Sequence, residues 1–230
     1  MSWRTNSFII SVRSITRSLG INKLFAPFIL GVGYESKYDE MLSKEIQEGD
    51  CVWDVGANIG YYTKIFSVCV GDQGCVYAFE PSPVNFSRLT QNNLNNVKYF
   101  SFGLGSANGK VLFEQGADEI GATSRVVDNP GNGISVEIKA AESVIRNGLA
   151  KLPNVLKIDV EGYESEVLEG LNHYLSSPNL RVIGVEIHFG ILNERAMSNA
   201  PKNIEVKLKG SGFRLIWSDS SHLLAIRPRQ

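Results

Sequence analysis

The chain has 230 residues, and its 23 basic and 24 acidic side chains give a formal net charge of −1. This length favours one large domain over two, and the balanced charge excludes the positive field with which non-specific nucleic-acid binders attract phosphates. The longest uncharged apolar run, residues 24–34, has about half the length of a bilayer-spanning helix, so no transmembrane segment is expected. Three cysteines without paired spacing are typical of reduced thiols, which favours a cytoplasmic location.

The first 34 residues contain no acidic side chain. Their composition resembles that of a transit peptide. Apolar residues also recur at helical spacing between Ser7 and Leu19, which predicts an amphipathic helix. We interpret residues 1–34 as an N-terminal helical extension and residues 35–230 as the main domain, which opens with a more polar helix at Tyr34–Gln47.

Short apolar strands then alternate with helices along the rest of the chain. The first five strands are predicted at Cys51–Val55, Val76–Phe79, Val97–Phe102, Val155–Val160 and Leu180–Ile187. The intervening helices are long enough for right-handed crossovers, which indicates an α/β fold with a parallel sheet. The last two strands, Phe213–Trp217 and Leu223–Arg227, are joined by a short turn and must be antiparallel. The prediction is therefore a mostly parallel sheet with an antiparallel last strand.

Residues 109–139 interrupt this alternation. Val111–Phe113 and Ile134–Ile138 are extended in character, and turn-forming residues lie between them. We predict a β-hairpin insertion between strands three and four. Insertions on rigid α/β scaffolds often carry specificity, so we expect this one and the segment Phe189–Ala200 to shape a binding pocket.

The strongest chemical signal is VWDVGANIG at residues 52–60, where a strand runs into a glycine-rich turn and then a helix. Nucleotides bind at such turns in α/β folds. The spacing differs from the dinucleotide fingerprint GxGxxG, because Tyr61 occupies the position of its final glycine. Asp54 would repel a pyrophosphate but suits an ammonium group of a ligand. The alternative is a glycine turn that serves packing only.

An acidic side chain, Glu80, closes the second strand. It lies 24 residues beyond Gly56, the interval at which an acid accepts hydrogen bonds from a ribose diol. A solvated loop residue is the alternative. The combination with the glycine turn favours a nucleoside ligand.

Further polar side chains follow strands four and five. Asp159 and Glu161 come at the end of strand four, and Glu186 and His188 at the end of strand five. The carboxyl ends of parallel strands meet at one edge of a sheet, where ligands bind. Alternation along a strand places Glu186 and His188 on one face. The alternatives are helix capping for the acids, which we favour for Glu164, and a structural role for His188.

Three segments resemble signature blocks of the FkbM-type S-adenosylmethionine-dependent methyltransferases. They are DVGANIGYYT (Asp54–Thr63), VYAFEPSPVNFSRL (Val76–Leu89) and LKIDVEGYESEVLEGL (Leu156–Leu171), and GLG at Gly103–Gly105 and VEIH at Val185–His188 fit the same pattern. The resemblance covers about residues 35–227. It implies a class I, Rossmann-like sheet of seven strands, S-adenosylmethionine as cofactor, and methyl transfer to a hydroxyl of a carbohydrate or secondary metabolite.

The resemblance also implies roles for single residues. The turn would hold the methionine part of the cofactor, Glu80 its ribose, and the GLG segment its adenine. The predicted cofactor-binding residues are Asp54, Gly56, Ala57, Asn58, Gly60, Tyr61, Thr63, Glu80, Pro81, Gly103, Leu104 and Asp159. Relatives often carry an acid after GLG, where this chain has Ser106, Ala107 and Asn108, so side-chain contacts to adenine are not expected there.

The predicted catalytic residues are His188, Glu161 and Asp159. An oxygen nucleophile must lose its proton, and His188 is the first candidate for general base because imidazole titrates near neutrality. Glu161 is the second candidate. A divalent metal ion held by Asp159, Glu186 and His188 is an alternative, although no histidine pair has the spacing of a zinc site. The acceptor would be a glycan or another small molecule.

Two other functions share part of this pattern. An NAD-dependent oxidoreductase has the strand, the glycine turn and the acid, but this chain lacks the third glycine. A non-catalytic nucleoside-binding scaffold would tolerate loss of the turn residues, all of which are present here. A methyltransferase is therefore the favoured prediction.

Overall fold

A computed structural model describes residues 34–114, 125–126 and 133–228. The helix predicted at Ser7–Leu19 and the middle of the insertion lie outside the described residues. The helices are α1 (Tyr34–Glu45), α2 (Tyr61–Val70), α3 (Pro83–Thr90), α4 (Ala141–Arg146), α5 (Glu164–Gly170), α6 (Phe189–Glu194) and α7 (Ala200–Gly210), with a 3₁₀ turn at Asn172–Ser176. The strands are β1 (Cys51–Val55), β2 (Cys75–Phe79), β3 (Val97–Phe100), β4 (Gly103–Gly105), β5 (Gly109–Glu114), β6 (Arg125–Val126), β7 (Ile134–Ala140), β8 (Val155–Ile158), β9 (Val182–Glu186), β10 (Arg214–Trp217) and β11 (His222–Ile226).

Seven strands form the central sheet in the order β3-β2-β1-β8-β9-β11-β10. Strand β11 runs antiparallel to both of its neighbours, and β1 is parallel to β2 and β8. The predicted α/β fold with a reversed last strand is confirmed. The reversed strand does not lie at the edge of the sheet, however, because it inserts between β9 and β10.

A second sheet of four strands has the order β4-β7-β5-β6. Its antiparallel pair β5 and β7 is the predicted hairpin. Strand β4 is the GLG segment, which pairs in parallel with β7 and was not predicted as a strand. A Cβ on Gly103 or Gly105 would lie 2.7 Å from side-chain carbons of Ile138. The close approach of β4 to β7 therefore depends on glycine, and three residues are too few to show a strand period.

Several elements are shorter than predicted. Strands β8 and β9 end at Ile158 and Glu186, so Asp159 and His188 lie in the loops beyond them. Helix α3 begins after Ser82, whose hydroxyl accepts a hydrogen bond from the Asn85 amide, as its Ser-Pro sequence predicts. Helix α6 begins directly after His188 and was not predicted.

The two faces of the central sheet are covered by different helices. On the α1/α2 face, side chains of these two helices pack on a row of apolar strand residues: Val52, Val76, Val155, Val182 and Leu224. On the α5/α7 face, those two helices pack on a second row: Trp53, Val55, Leu156, Ile158, Ile183 and Val185. Burying each large side chain contributes roughly 1.5–3 kcal/mol. Both rows follow the strands to the carboxyl edge of the sheet, where β1, β8 and β9 end.

Every helix in the described part of the chain is too short or too polar to cross a membrane.

Candidate active site

The glycine-rich turn after β1 folds tightly against the loop after β8. Gly56 has φ +76° and Gly60 has φ +93°, and Asn58 also adopts a left-handed conformation. A Cβ on Gly56 would lie 1.8 Å from the carbonyl oxygen of Asp159, and one on Gly60 would lie 2.4 Å from Nδ2 of Asn92. Both glycines are therefore required for their conformation and for their lack of a side chain.

Asp54 supports this turn from inside the protein. Its carboxylate is fully buried, with Oδ1 3.0 Å from the ammonium of Lys157, and Oδ2 accepts a hydrogen bond of 2.6 Å from the buried Thr63 hydroxyl. Lys157 also donates to the Gly56 carbonyl at 2.9 Å. The sequence pattern predicts that Asp54 pairs with an ammonium group of a ligand. In the structure, Asp54 pairs instead with the ammonium of Lys157.

The charge of Lys157 is held in place by its neighbours. Burial alone would lower the pKa of its ammonium. The carboxylates of Asp54 and Asp159 raise the pKa by more than burial lowers it, so the net shift is upward. The Asp159 carboxylate lies 3.6 Å from the ammonium. Lys157 is not among the site residues predicted from the sequence, although a lysine in a buried apolar strand is rare enough to be a signal.

Glu80 links the turn to the end of β2. It is 4% exposed, and its two oxygens accept hydrogen bonds of 2.8 Å from the backbone amides of Asn58 and Ser82. Burial raises the pKa of this carboxyl to about 7, although both amides and Lys157 oppose the shift. Each carboxylate oxygen can accept a second hydrogen bond. Both oxygens of Glu80 thus keep acceptor capacity beyond these two amides.

The residues around Glu80 fit an adenosyl cofactor. Oδ1 of Asn58 is buried and has no hydrogen-bond partner among the described residues, which leaves an acceptor for a donor on a ligand. A Cβ on Gly103 would lie 3.4 Å from Pro81, so β4 adjoins the end of β2.

The other predicted contact residues differ in their accessibility. Ala57 and Leu104 are buried, whereas Tyr61 is exposed and donates a hydrogen bond to Asp39. The assignment of these side chains to a cofactor stays a prediction.

A buried histidine gathers the acids at the ends of β8 and β9. His188 is 1% exposed, and its Nε2 lies 3.2 Å from Glu161, 3.6 Å from Asp159 and 3.8 Å from Glu186. Its Nδ1 lies 2.5 Å from Oε1 of the fully buried Glu164. We call these five side chains the His188 cluster. The structure brings together the four residues that the sequence pattern singles out after strands four and five.

Glu164 is the member of the cluster that sequence analysis missed. Because a carboxylate only accepts hydrogen bonds, Nδ1 of His188 donates to it, and Nε2 points towards the other acids. The same oxygen accepts a hydrogen bond of 3.0 Å from the Gly162 amide. An acid in the first turn of a helix is indistinguishable in sequence from a capping residue, which is the role predicted for it.

Helix α6 clamps the loop that carries Asp159 and Glu161. Glu161 and Gly162 have φ +49° and +89°, and a Cβ on Gly162 would lie 2.5 Å from Ile191. Arg195, directly after α6, donates hydrogen bonds to the Gly162 carbonyl and, at 2.7 Å, to Glu166. The loop is therefore packed against α6 and bonded to the residue that follows this helix.

A second histidine reaches the cluster from β11. His222 lies opposite Glu186 in the sheet, with Nε2 3.5 Å from its carboxylate and Nδ1 2.9 Å from Asp219. Burial lowers the pKa of His222, but Glu186 and Asp219 outweigh it and raise the pKa to about 10. Sequence analysis missed this pair, because the register between β11 and β9 is not visible in a single sequence.

This combination of fold and site defines a class of protein. A seven-stranded sheet with a reversed inner strand, a glycine turn after β1 and an acid after β2 form the Rossmann-like fold of class I methyltransferases. An FkbM methyltransferase from Methylobacillus flagellatus has a similar fold, with a TM-score of 0.51, 14% identity and coverage of 77% of this chain and 43% of that one. Fibrillarin from Aeropyrum pernix with bound S-adenosylmethionine also has a TM-score of 0.51, with 15% identity and coverage of 83% and 73%.

The family follows from the sequence match. Residues 54–215 match the family model described as the methyltransferase FkbM domain. The chain belongs to the FkbM methyltransferase family, as the three sequence segments predict.

Two curated relatives illustrate the range of this family. The hexuronic acid methyltransferase AglP from Haloferax volcanii is 36% identical over 154 residues, which are 66% of this chain and 61% of the relative. The 31-O-demethyl-FK506 methyltransferase FkbM from Streptomyces tacrolimicus is 26% identical over 206 residues, 75% of each chain. This chain thus spans about three fifths of the length of AglP.

Proposed function

We propose that this protein transfers the methyl group of S-adenosylmethionine to an oxygen of a carbohydrate or another small metabolite. The observation that carries this proposal is the position of Asp159 between the two halves of the site. Its carbonyl oxygen touches Gly56 in the glycine turn, and its carboxylate lies 3.6 Å from Nε2 of His188. A donor held by the turn would therefore lie beside an acceptor held by the His188 cluster.

The donor half of the site consists of the turn, Glu80 and the start of β4. Glu80 would bind the ribose hydroxyls, Asn58 would accept a hydrogen bond from the ligand, and the start of β4 would lie beside the adenine. The cofactor supplies an electrophilic methyl group on a sulfonium. Tyr61 stands where the dinucleotide fingerprint has its last glycine, which argues against the NAD-dependent alternative.

The acceptor half is the His188 cluster. The acceptor oxygen would bond to the methyl carbon as the carbon–sulfur bond of the cofactor breaks, and the hydroxyl proton would be lost to a base of the cluster. Holding the two reactants in line can contribute about 7–11 kcal/mol. Asp159, Glu161 and His188 are the catalytic residues of this proposal, since their polar atoms meet where the acceptor would lie.

The choice of acceptor rests on the relatives. The name of AglP specifies a hexuronic acid, and the name of the Streptomyces enzyme specifies methylation at an oxygen. A sugar or sugar acid is therefore the first acceptor class to test. We also propose that residues 35–230 form the methyltransferase domain and that residues 1–34 extend it.

Calorimetry with S-adenosylhomocysteine and with NAD tests the donor half. We expect the wild-type chain to bind S-adenosylhomocysteine and not NAD. Gly56→Ala should weaken this binding at least ~100-fold, because the new methyl group would displace the Asp159 carbonyl or deform a backbone that only glycine readily adopts. Gly210→Ala is the matched control, since nothing lies within 4 Å of its Cβ position. Binding of NAD alone would overturn the proposal.

A screen with methyl-labelled cofactor tests the acceptor half. We expect label in an oxygen-bearing acceptor such as a glycan or uronic acid, and loss of it in Glu161→Gln. Tight cofactor binding without transfer to any hydroxylated acceptor would favour the scaffold alternative instead.

A further inference from the structure

We infer that the His188 cluster is a binding site for a divalent cation such as Mn²⁺ or Mg²⁺, with Asp159, Glu161 and His188 as its protein ligands. Cation binding stands on the geometry of the cluster alone. Its contribution to methyl transfer rests on the proposed function.

The spacing of the three ligand atoms fits one cation. One atom from each residue lies within 4.8 Å of the other two, and Nε2 of His188 lies 3.2 Å from Glu161 and 3.6 Å from Asp159. A cation about 2.0–2.2 Å from its ligands places neighbouring ligand atoms roughly 3.0–3.6 Å apart. The measured separations from Nε2 fall in this range. The distance from Nε2 to Glu186, 3.8 Å, lies just outside this range.

The histidine is oriented as metal-bound histidines are. Its Nδ1 lies 2.5 Å from Glu164, which fixes the ring and directs Nε2 at the other acids. Metal-ligating histidines nearly always donate their other ring nitrogen to a carboxylate or carbonyl in this way. Glu164 is fully buried and is itself fixed by the Gly162 amide, so the ring cannot easily turn away.

Two cationic side chains adjoin the cluster. Lys157 lies 3.6 Å from Asp159 and is shared with Asp54, and Nε2 of His222 lies 3.5 Å from Glu186 while its Nδ1 contacts Asp219. Carboxylate oxygens and an imidazole nitrogen are ligands that divalent cations accept, and the cluster offers both.

An orphaned hydroxyl near the same acids is a second, independent sign of a missing polar ligand. Tyr38 on α1 is 1% exposed, and its hydroxyl has no hydrogen-bond partner in the described ranges. A Cβ on Gly184, two residues before Glu186 on β9, would lie 2.4 Å from this hydroxyl, which therefore lies beside the strand that carries Glu186. A hydrated cation would bring water molecules that such a hydroxyl can contact.

A cation at this position changes the role of His188. The Nε2 lone pair would bind the cation and would no longer receive a proton. A divalent cation that contacts the acceptor oxygen lowers the pKa of its hydroxyl, so the proton can pass to water. With a bound cation, methyl transfer should stop when a chelator removes the cation. Without one, the transfer would depend on His188 as a base.

The test is Mn²⁺ binding to the full chain after treatment with a chelator and dialysis. We expect one saturable site by calorimetry and electron paramagnetic resonance, with ¹⁴N modulation from the histidine nitrogen in the spin-echo signal. Glu161→Gln should weaken the affinity at least ~10-fold, since it removes a charged ligand of a partly accessible side chain and keeps its shape. Asp159→Asn is the second variant. Glu142→Gln is the matched control, because this carboxylate binds Asn172 away from the cluster.

Three results would overturn the inference. They are no saturable Mn²⁺ binding at millimolar concentration, unchanged affinity in both Glu161→Gln and Asp159→Asn, and equal weakening in Glu142→Gln. Binding of S-adenosylhomocysteine in the presence of chelator is measured separately. If S-adenosylhomocysteine does not bind, the proposed function is contradicted, whereas the conclusion from Mn²⁺ binding is unaffected.

Discussion

The two faces of the central sheet differ most where its strands end. On the α1/α2 face, the apolar row gives way to charged side chains: Val52 is followed on the same face by Asp54, Val155 by Lys157, and Val182 by Glu186. On the α5/α7 face, strands β1, β8 and β9 stay apolar to their ends, with Val55, Ile158 and Val185 all buried. The charged strand residues of the site therefore lie on one face, and the strand residues of the opposite face form an uninterrupted hydrophobic core.

One face of the sheet therefore contributes mainly to stability, and the other carries the charged side chains of the site. Each buried ion carries a desolvation cost of several kcal/mol, which partners offset only when their geometry is good. The α5/α7 face has no such cost in the described strands. It can hold the strand ends in register while the α1/α2 face carries Asp54, Lys157 and Glu186.

The largest expected effect comes from removing the ammonium of Lys157 on the α1/α2 face. Lys157→Met leaves Asp54 buried without a positive partner, so we expect a loss of about 3–5 kcal/mol in the free energy of unfolding, measured by chemical denaturation. Leu156 directly precedes Lys157 and faces the α5/α7 side. Leu156→Ala should lower the free energy of unfolding by a comparable ~2–5 kcal/mol.

Cofactor binding distinguishes these two variants. Lys157→Met should lose binding of S-adenosylhomocysteine under conditions where it is still folded, because the Gly56 carbonyl loses its donor. Leu156→Ala should keep it. Equal loss of binding in both would contradict the separation of the two faces.

A smaller effect is expected for Glu80 and depends on pH. With a pKa of about 7, its carboxyl is largely protonated below neutrality in the free protein. A ribose diol donates hydrogen bonds and therefore favours the ionised form, so the affinity for S-adenosylhomocysteine should rise about tenfold between pH 6 and 8. Calorimetry at several pH values measures this slope. In Glu80→Gln the affinity should be lower and its pH slope absent; a slope that persists would assign it to another group.

The smallest effect concerns the stability contributed by His222. Its pKa of about 10 in the folded state exceeds the usual value of 6.5, so its stabilising contribution is complete below pH 6.5 and is lost as the pH rises through 10. Thermal unfolding of the wild type should therefore weaken between pH 7 and 10. His222→Gln should unfold about 2–6 °C lower at pH 7, for a loss of roughly 1.5 kcal/mol, and should show a flatter profile. Parallel profiles for the two proteins would show that His222 is not charged in the fold.

The sequence predicts the features that are local in the chain. The strand, turn and helix around Gly56, the serine cap of α3 and the short turn before β11 all depend on neighbouring residues, and the structure confirms each of them. The convergence of Asp159, Glu161, Glu186 and His188 also follows from sequence, because parallel strands bring their carboxyl ends to one edge.

The features that sequence analysis missed depend on pairing between distant residues. Lys157 meets Asp54 only because β8 lies beside β1, and His222 meets Glu186 only through the register of an antiparallel pair. Strand β4 exists because β7 offers it an edge. Periodicity within one segment carries no information about such partners, since many registers are compatible with the same pattern.

The insertion of β11 between β9 and β10 has a consequence for how the protein is made. Until residues 222–226 leave the ribosome, β9 presents an unpaired hydrogen-bonding edge, which is a site for aggregation. The same residues deliver the imidazolium that neutralises Glu186. Pairing of β11 with β9 and the delivery of His222 to Glu186 are thus a single event, and a nascent chain cannot acquire one without the other.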